Sequence, residues 1–264
     1  MFTLHHWTQF KQSGKKITVV TAYDYFSAQI AEAAEIDVIL VGDSLGMVIA
    51  GNENTLSVTL DEMIYHTKAV KKGAPRSFII ADMPYLSYHI TPAETVRNAG
   101  RLIQETQVNA IKVEMNHPAI LEHIEALVAA QIPVIGHIGM TPQSVNVFGG
   151  FKVQGRENEE AHKITAFAHQ LVQVGVKAIV LECMPAALAK TITQQISVAT
   201  IGIGSGQYCD GQVLVFHDLL GFNPKNKFKF VKCYANAHEY LVNGLKNFAS
   251  DVKSGVFPDE THSH

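Results

Sequence analysis

With 264 residues, 47% of them hydrophobic and 17% charged, the chain is long enough for one large α/β domain and can bury a sizeable core. Its formal net charge of -3, with lysines and arginines scattered, supplies no basic field for nucleic acid and favours small-molecule partners. The three cysteines, Cys183, Cys209 and Cys233, lack CxxC spacing, which argues against a disulfide framework or structural zinc and suits a cytoplasmic setting, and no stretch approaches the ~20 apolar residues of a membrane span.

The amino-terminal MFTLHHWTQFKQ has no apolar core of a secretion signal; its Phe2, Leu4, Trp7 and Phe10 predict a short amphipathic helix. Short apolar runs then recur at 17–22, 38–43, 78–82, 110–114, 133–137, 178–182, 199–203 and 212–216. Each is rich in β-branched and aliphatic residues and leads through a polar loop toward a helical stretch, the pattern of a parallel strand buried on both faces. Helices are expected at 24–35, 60–73, 92–107, 118–130, 158–174 and 185–196, with a predominantly helical tail from about 226 to 253. Thr59 with Glu62, and Thr91 with Glu94 behind Pro92, have capping-box spacing. Eight strands alternating with helices predict a (βα)8 TIM barrel. No linker-like stretch divides the chain, so residues 1–264 read as a single barrel domain with a short N-terminal helix and a helical C-terminal tail.

Four of the apolar runs end in a carboxylate: Asp43, Asp82, Glu114 and Glu182. In a barrel these strand ends share one rim, where gathered carboxylates repel unless a cation or a shared proton offsets them. Asp43, Asp82 and Glu114 follow consecutive strands, and an oxygen-only set of few ligands suits Mg²⁺, which keeps waters and accepts substrate oxygens. Period-two alternation puts Lys112 on the same face as Glu114, one layer deeper. Glu182, flanked by Leu181, Cys183 and Met184, is expected opposite that arc in apolar surroundings that suit a general base. His137 ends the fifth run and is either a site residue or a satisfied structural histidine. The glycines of IGIGSG lack the G-x-G-x-x-G spacing and are expected to allow close backbone approach at the rim. Two long Gly-rich loops, 43–58 and 141–156, are expected to cover a substrate.

TAYDY (21–25), LVGDSLGM (40–47), YHTKAV (65–70), GHIGMTPQSVNVFGGFKVQGR (136–156), LECMP (181–185), IGIGSG (201–206), DGQVLVFHDLLG (210–221) and SGVFPDETHS (254–263) together resemble the ketopantoate hydroxymethyltransferase family over nearly the whole chain. The resemblance implies a barrel related to the phosphoenolpyruvate/pyruvate enzymes. It also implies transfer of a hydroxymethyl group from 5,10-methylenetetrahydrofolate to 3-methyl-2-oxobutanoate, giving 2-dehydropantoate for pantothenate and coenzyme A synthesis. By matching motifs, Asp43, Asp82 and Glu114 would bind Mg²⁺; Asp43, Ser44, Asp82 and Lys112 would contact the keto acid; Glu182 would accept the C3 proton. The enolate so formed would attack the one-carbon unit, opened from the folate as an iminium. The family also forms large homo-oligomers, often decamers, with no nucleic-acid or membrane partner.

The chain departs from the family pattern at Met115 and Asn116, where two glycines are usual, and at TQVNA (106–110), where a Gly-Ala turn is usual. Bulk beside the metal would reshape the rim and bear on the folate fit. Other readings of the same residues are a carbon–carbon lyase on the same barrel, a Schiff-base mechanism through Lys112, and a non-catalytic barrel module.

Overall fold

The apolar runs form strands β1 Ile17–Thr21, β2 Val38–Val41, β3 Phe78–Asp82, β4 Ala110–Glu114, β5 Val134–Gly139, β6 Ala178–Glu182, β7 Ala199–Ile203 and β8 Gly211–Leu214. Neighbouring strands pair in parallel, and β8 pairs with β1, so the sheet closes into a barrel in chain order. This computed structural model describes residues 2–224 and 228–264. Two compact units divide the chain: one runs through Leu214 and holds the whole barrel, the other begins at Val215.

In the first unit the helices are α1 Leu4–Ser13, α2 Tyr25–Ala33, α3 Leu45–Val48, α4 Leu60–Gly73, α5 Pro92–Thr106, α6 Ile120–Ala129, α7 Val145–Phe148, α8 Asn158–Val174 and α9 Ala186–Gln195. α4 starts where the sequence expects it, because Thr59 and Glu62 cap each other reciprocally: Thr59 N–H donates to Glu62 Oε2 at 2.7 Å, and Glu62 N–H donates to Thr59 Oγ1 at 3.2 Å. At α5 only half of the motif forms. Thr91 Oγ1 accepts from Glu94 N–H at 3.2 Å, and Pro92 takes the first helical position.

Strand ends shift where the chain turns. β2 stops at Val41 because the next residues close a turn, with Leu45 N–H donating to the Gly42 carbonyl and Gly46 N–H to the Asp43 carbonyl. β5 runs past His137 to Gly139, which stands level with Glu182 of β6. The long loops at the strand C-termini carry the short helices α3 and α7, and Val147, Phe151 and Val153 of the second loop are exposed.

Alternation along each strand sorts the side chains into two cores. The inward set, including Val19, Leu40, Phe78, Ile80, Ile135, Val180, Ile201 and Val213, forms one buried apolar cluster with Trp7 and Phe10 of α1. The amphipathic helix expected near the amino terminus therefore plugs the barrel from below; the Trp7 and Phe78 rings meet edge to face at 6.0 Å.

The second unit contains α10 Phe216–Leu219 and α11 Ala237–Ser254. The eighth strand ends at Leu214, before the expected Phe216, because Val215 caps α10. The expected tail helix begins only at Ala237, where Asn236 Oδ1 accepts from Glu239 N–H. Residues 226 and 227 of that expected tail lie outside the described residues.

Candidate active site

Asp82 and Glu114 end β3 and β4, Glu182 ends β6, and Asp43 lies in the turn after β2. Parallel register sets Asp82 level with Lys112 and Glu114 level with His137. Side chains level with one another in a parallel ladder point the same way, so residues distant in sequence enter the barrel mouth together. The Lys112 ammonium lies 3.1 Å from Asp82 Oδ1 and 3.8 Å from Glu114 Oε1. Asp43 joins them through its backbone, whose N–H donates to Asp82 Oδ2 at 3.1 Å.

This cluster holds more acid than base. Burial, followed by repulsion from Asp82 and Glu114, pushes the Asp43 carboxyl well above the usual carboxylate range. Burial also raises Asp82, although the Lys112 charge opposes it. Glu114 goes the other way: burial alone would raise it, but His137 and Lys112 together hold it below its ordinary value. Burial disfavours the Lys112 ammonium too, and the charges of Asp82, Glu114 and Asp43 overcome that cost and raise its pKa.

His137 ties Glu182 to the cluster. Its Nε2 lies 3.1 Å from Glu182 Oε2, and its Nδ1 lies 3.4 Å from Glu114 Oε1 and 3.2 Å from Lys112 Nζ. Burial and Lys112 oppose charge on the ring; the two carboxylates outweigh them and hold its pKa up at about 9. The surroundings of Glu182 are thus less apolar than its flanking residues imply. Gly139 stands level with Glu182 and lets the two strands approach closely there. A Cβ on Gly139, which has φ +97, would come within 2.3 Å of the Glu182 carbonyl oxygen. Glu182 is also the most open acid of the group, with 17% of its side chain exposed against 4% for Asp82.

Two polar residues that the sequence did not single out complete the site. Gln143, in the loop after β5, is buried and bonded to Asp43, Met83, Glu114 and Tyr88. Tyr23 bonds the Ser44 hydroxyl at 2.8 Å. Gln143 sits in a quoted motif, but an amide in a loop carries no charge or periodicity to mark it. The TAYDY segment was equally visible, without any sign that Tyr23 reaches Ser44.

No three His, Cys, Asp or Glu side chains among the described residues make a ready metal cage. Mg²⁺ requires none, since it keeps waters and accepts substrate oxygens beside one or two carboxylates. Asp82 Oδ1 and Glu114 Oε1 are buried without a hydrogen bond of good geometry, although cationic groups stand near both. Hard oxygen donors, partly unsatisfied and short of positive charge, fit a divalent cation.

The model of one protein family, ketopantoate hydroxymethyltransferase, matches residues 1–260. The chain belongs to the ketopantoate hydroxymethyltransferase family. Relatives named 3-methyl-2-oxobutanoate hydroxymethyltransferase include one from Bacillus cereus (strain AH187), 49% identical over 100% of this chain and 94% of its own length. Another, from Thermoanaerobacter sp. (strain X514), is 51% identical over 97% of this chain and 93% of its own. Among solved structures, 2,3-dimethylmalate lyase, a PEP mutase/isocitrate lyase superfamily member, has a TM-score of 0.61 at 14% identity, covering 100% of this chain and 93% of that one. Phosphonopyruvate hydrolase in complex with oxalate and Mg²⁺ has a TM-score of 0.64 at 13% identity, covering 99% and 93%. At such identities these two share the fold.

Against the family pattern, Met115 and Asn116 are accommodated differently. Met115 is buried and its N–H donates to the His137 carbonyl at 2.8 Å, continuing the β4–β5 ladder, while Asn116 is half-buried. In IGIGSG, a Cβ on Gly206 would lie 2.5 Å from the Ala186 Cβ, the close approach expected of that stretch. The Cys183 thiol, pushed up to about 12 by burial and by Glu182, is unsuited to act as a nucleophile.

Proposed function

We propose that this family member transfers a hydroxymethyl group from 5,10-methylenetetrahydrofolate to C3 of 3-methyl-2-oxobutanoate, forming 2-dehydropantoate for pantothenate and coenzyme A synthesis. The observation that carries the reading is the contact made by His137, which joins an accessible carboxylate, Glu182, to the closed Asp82–Lys112–Glu114 cluster. Asp43, Asp82 and Glu114 would hold Mg²⁺, which would supply positive charge beside the bound keto acid and make its C3–H more acidic.

Lys112 presents a fixed positive charge to the bound keto acid, and Ser44, oriented by Tyr23, offers it a hydroxyl. Glu182 takes the C3 proton, with the His137 ring fixing the direction of its carboxylate. Water breaks the two carbon–nitrogen bonds of the one-carbon unit, its protons ending on the nitrogens of tetrahydrofolate and its oxygen becoming that of the hydroxymethyl group. The substrate enolate forms a carbon–carbon bond to that carbon, and the proton taken from C3 ends on the new hydroxyl, without net oxidation or reduction. Lys112 stays an electrostatic contact, because its ammonium is held by Asp82 at 3.1 Å and an amine nucleophile would have to give up that pairing. The cysteine pattern suits a cytoplasmic location, and the resemblance adds self-association, with a decamer as the size that light scattering checks.

The deciding experiment measures keto-acid-dependent consumption of methylenetetrahydrofolate with and without EDTA. Consumption that needs both the keto acid and Mg²⁺ supports the proposal. Turnover of a 2-oxo or 2-hydroxy acid without the folate would make the chain a lyase. Borohydride trapping on Lys112 with EDTA-resistant activity would make it a Schiff-base enzyme, and absence of both binding and C3 exchange a non-catalytic barrel.

A further inference from the structure

Gln143 commits every polar atom of its side chain, and its backbone N–H, to the acid cluster. Nε2 donates to Asp43 Oδ2 at 2.8 Å and to the Met83 carbonyl at 2.9 Å; Oε1 accepts from the Tyr88 hydroxyl at 2.7 Å; the backbone N–H donates to Glu114 Oε2 at 3.0 Å. These partners come from the ends of β2, β3 and β4 and from the loop after β3.

The surroundings dictate the direction of the amide. A backbone carbonyl only accepts, so the atom facing Met83 must be nitrogen, and the oxygen must face Tyr88. Tyr88 therefore donates, and burial together with nearby Glu114 and Asp43 keeps its phenol protonated. Asp43 meets a donor at Oδ2 from one fixed direction. An apolar side chain of similar size would fill the same buried space without the three side-chain polar contacts, so packing alone does not call for glutamine here. Gln143 touches two of the acids proposed to bind, whereas the contact to the proposed base Glu182 comes from His137.

We infer that Gln143, oriented by Tyr88, is a positioning residue whose side chain sets Asp43 for the 2-oxo acid and thereby governs how tightly that substrate is held. This rests on the proposed keto-acid chemistry. Tyr88 acts through Gln143, and proton removal belongs to the other arm, Glu182 with His137, which neither side chain touches although His137 also meets Glu114.

Exchange of the keto acid's C3 proton in deuterium oxide with Mg²⁺, followed by NMR, separates the two arms. Gln143→Ala should raise KM for the keto acid about tenfold or more and change kcat less than about threefold. Gln143→Glu, with the same shape but no donor for Asp43, should be no better than alanine. Tyr88→Phe keeps the ring and should raise KM by about threefold, and the double variant should be no worse than Gln143→Ala, because the two residues act as one unit. Melting temperatures identify folded variants, and if Gln143→Ala does not fold, Tyr88→Phe carries the test. An unchanged KM in folded variants, additive effects in the double variant, or a fall in kcat alone would overturn the inference. No exchange by the unaltered protein with Mg²⁺ would instead overturn the proposed function and take the inference with it.

Discussion

The lower and upper layers of the barrel interior are built on the same strands and have opposite chemistry. Below, Val19, Leu40, Phe78, Ile80, Ile135 and Val180 close on Trp7 and Phe10 without a charge. Above, often only two residues further along the same strand, stand Asp82 beyond Ile80, His137 beyond Ile135 and Glu182 beyond Val180. The lower layer gains stability from apolar area removed from water. The upper layer is tolerated because Lys112 and His137 offset part of its negative charge, and its surplus of acid is what makes it chemically useful. One layer supplies the stability against which the other holds its unfavourable charges.

Substitutions in each layer can break or sharpen that contrast. Glu182→Gln should lower C3 proton exchange by about 10²–10⁴-fold while Mg²⁺-dependent keto-acid binding persists; weak binding with normal exchange would contradict the base assignment. Lys112→Met leaves the buried acids without their nearest cation and should cost about 3–5 kcal/mol in denaturant titrations, together with the loss of keto-acid binding measured by calorimetry. Trp7→Ala should cost a similar ~3–5 kcal/mol in the same titrations, yet leave the exchange kcat unchanged at temperatures where the variant is folded. A fall in its kcat there would mean that the layers are not separable. The smallest effect belongs to Ile80→Val, about 1 kcal/mol in stability with no change in exchange, although the residue lies two positions before Asp82.

Particular residues show how far the sequence could be read. Eight apolar runs named the eight strands, because a strand buried on both faces needs a short continuous apolar stretch and little else. The reciprocal cap at Thr59 and Glu62 was equally legible, since both partners lie within one helical turn. At Thr91 the same spacing yields only one of the two bonds, which shows that spacing permits a cap without ensuring it. The expected tail helix starts later than 226, because the aromatic and β-branched residues of 228–234 are weak helix formers and the cap forms only at Asn236.

By itself, the sequence determined which acids end strands and which side of each strand they share with Lys112, because alternation is a property of the local backbone. It also determined the family, through motifs spread along the whole chain. The partnerships within the site were decided only by tertiary structure. Closure of the sheet sets Asp82 level with Lys112 and Glu114 level with His137, and it brings the His137 ring within 3.1 Å of Glu182. The folded loop after β5 brings Gln143 to Asp43, 100 residues away in sequence. Register and loop path depend on contacts summed over the whole barrel, and no local pattern of residues encodes them.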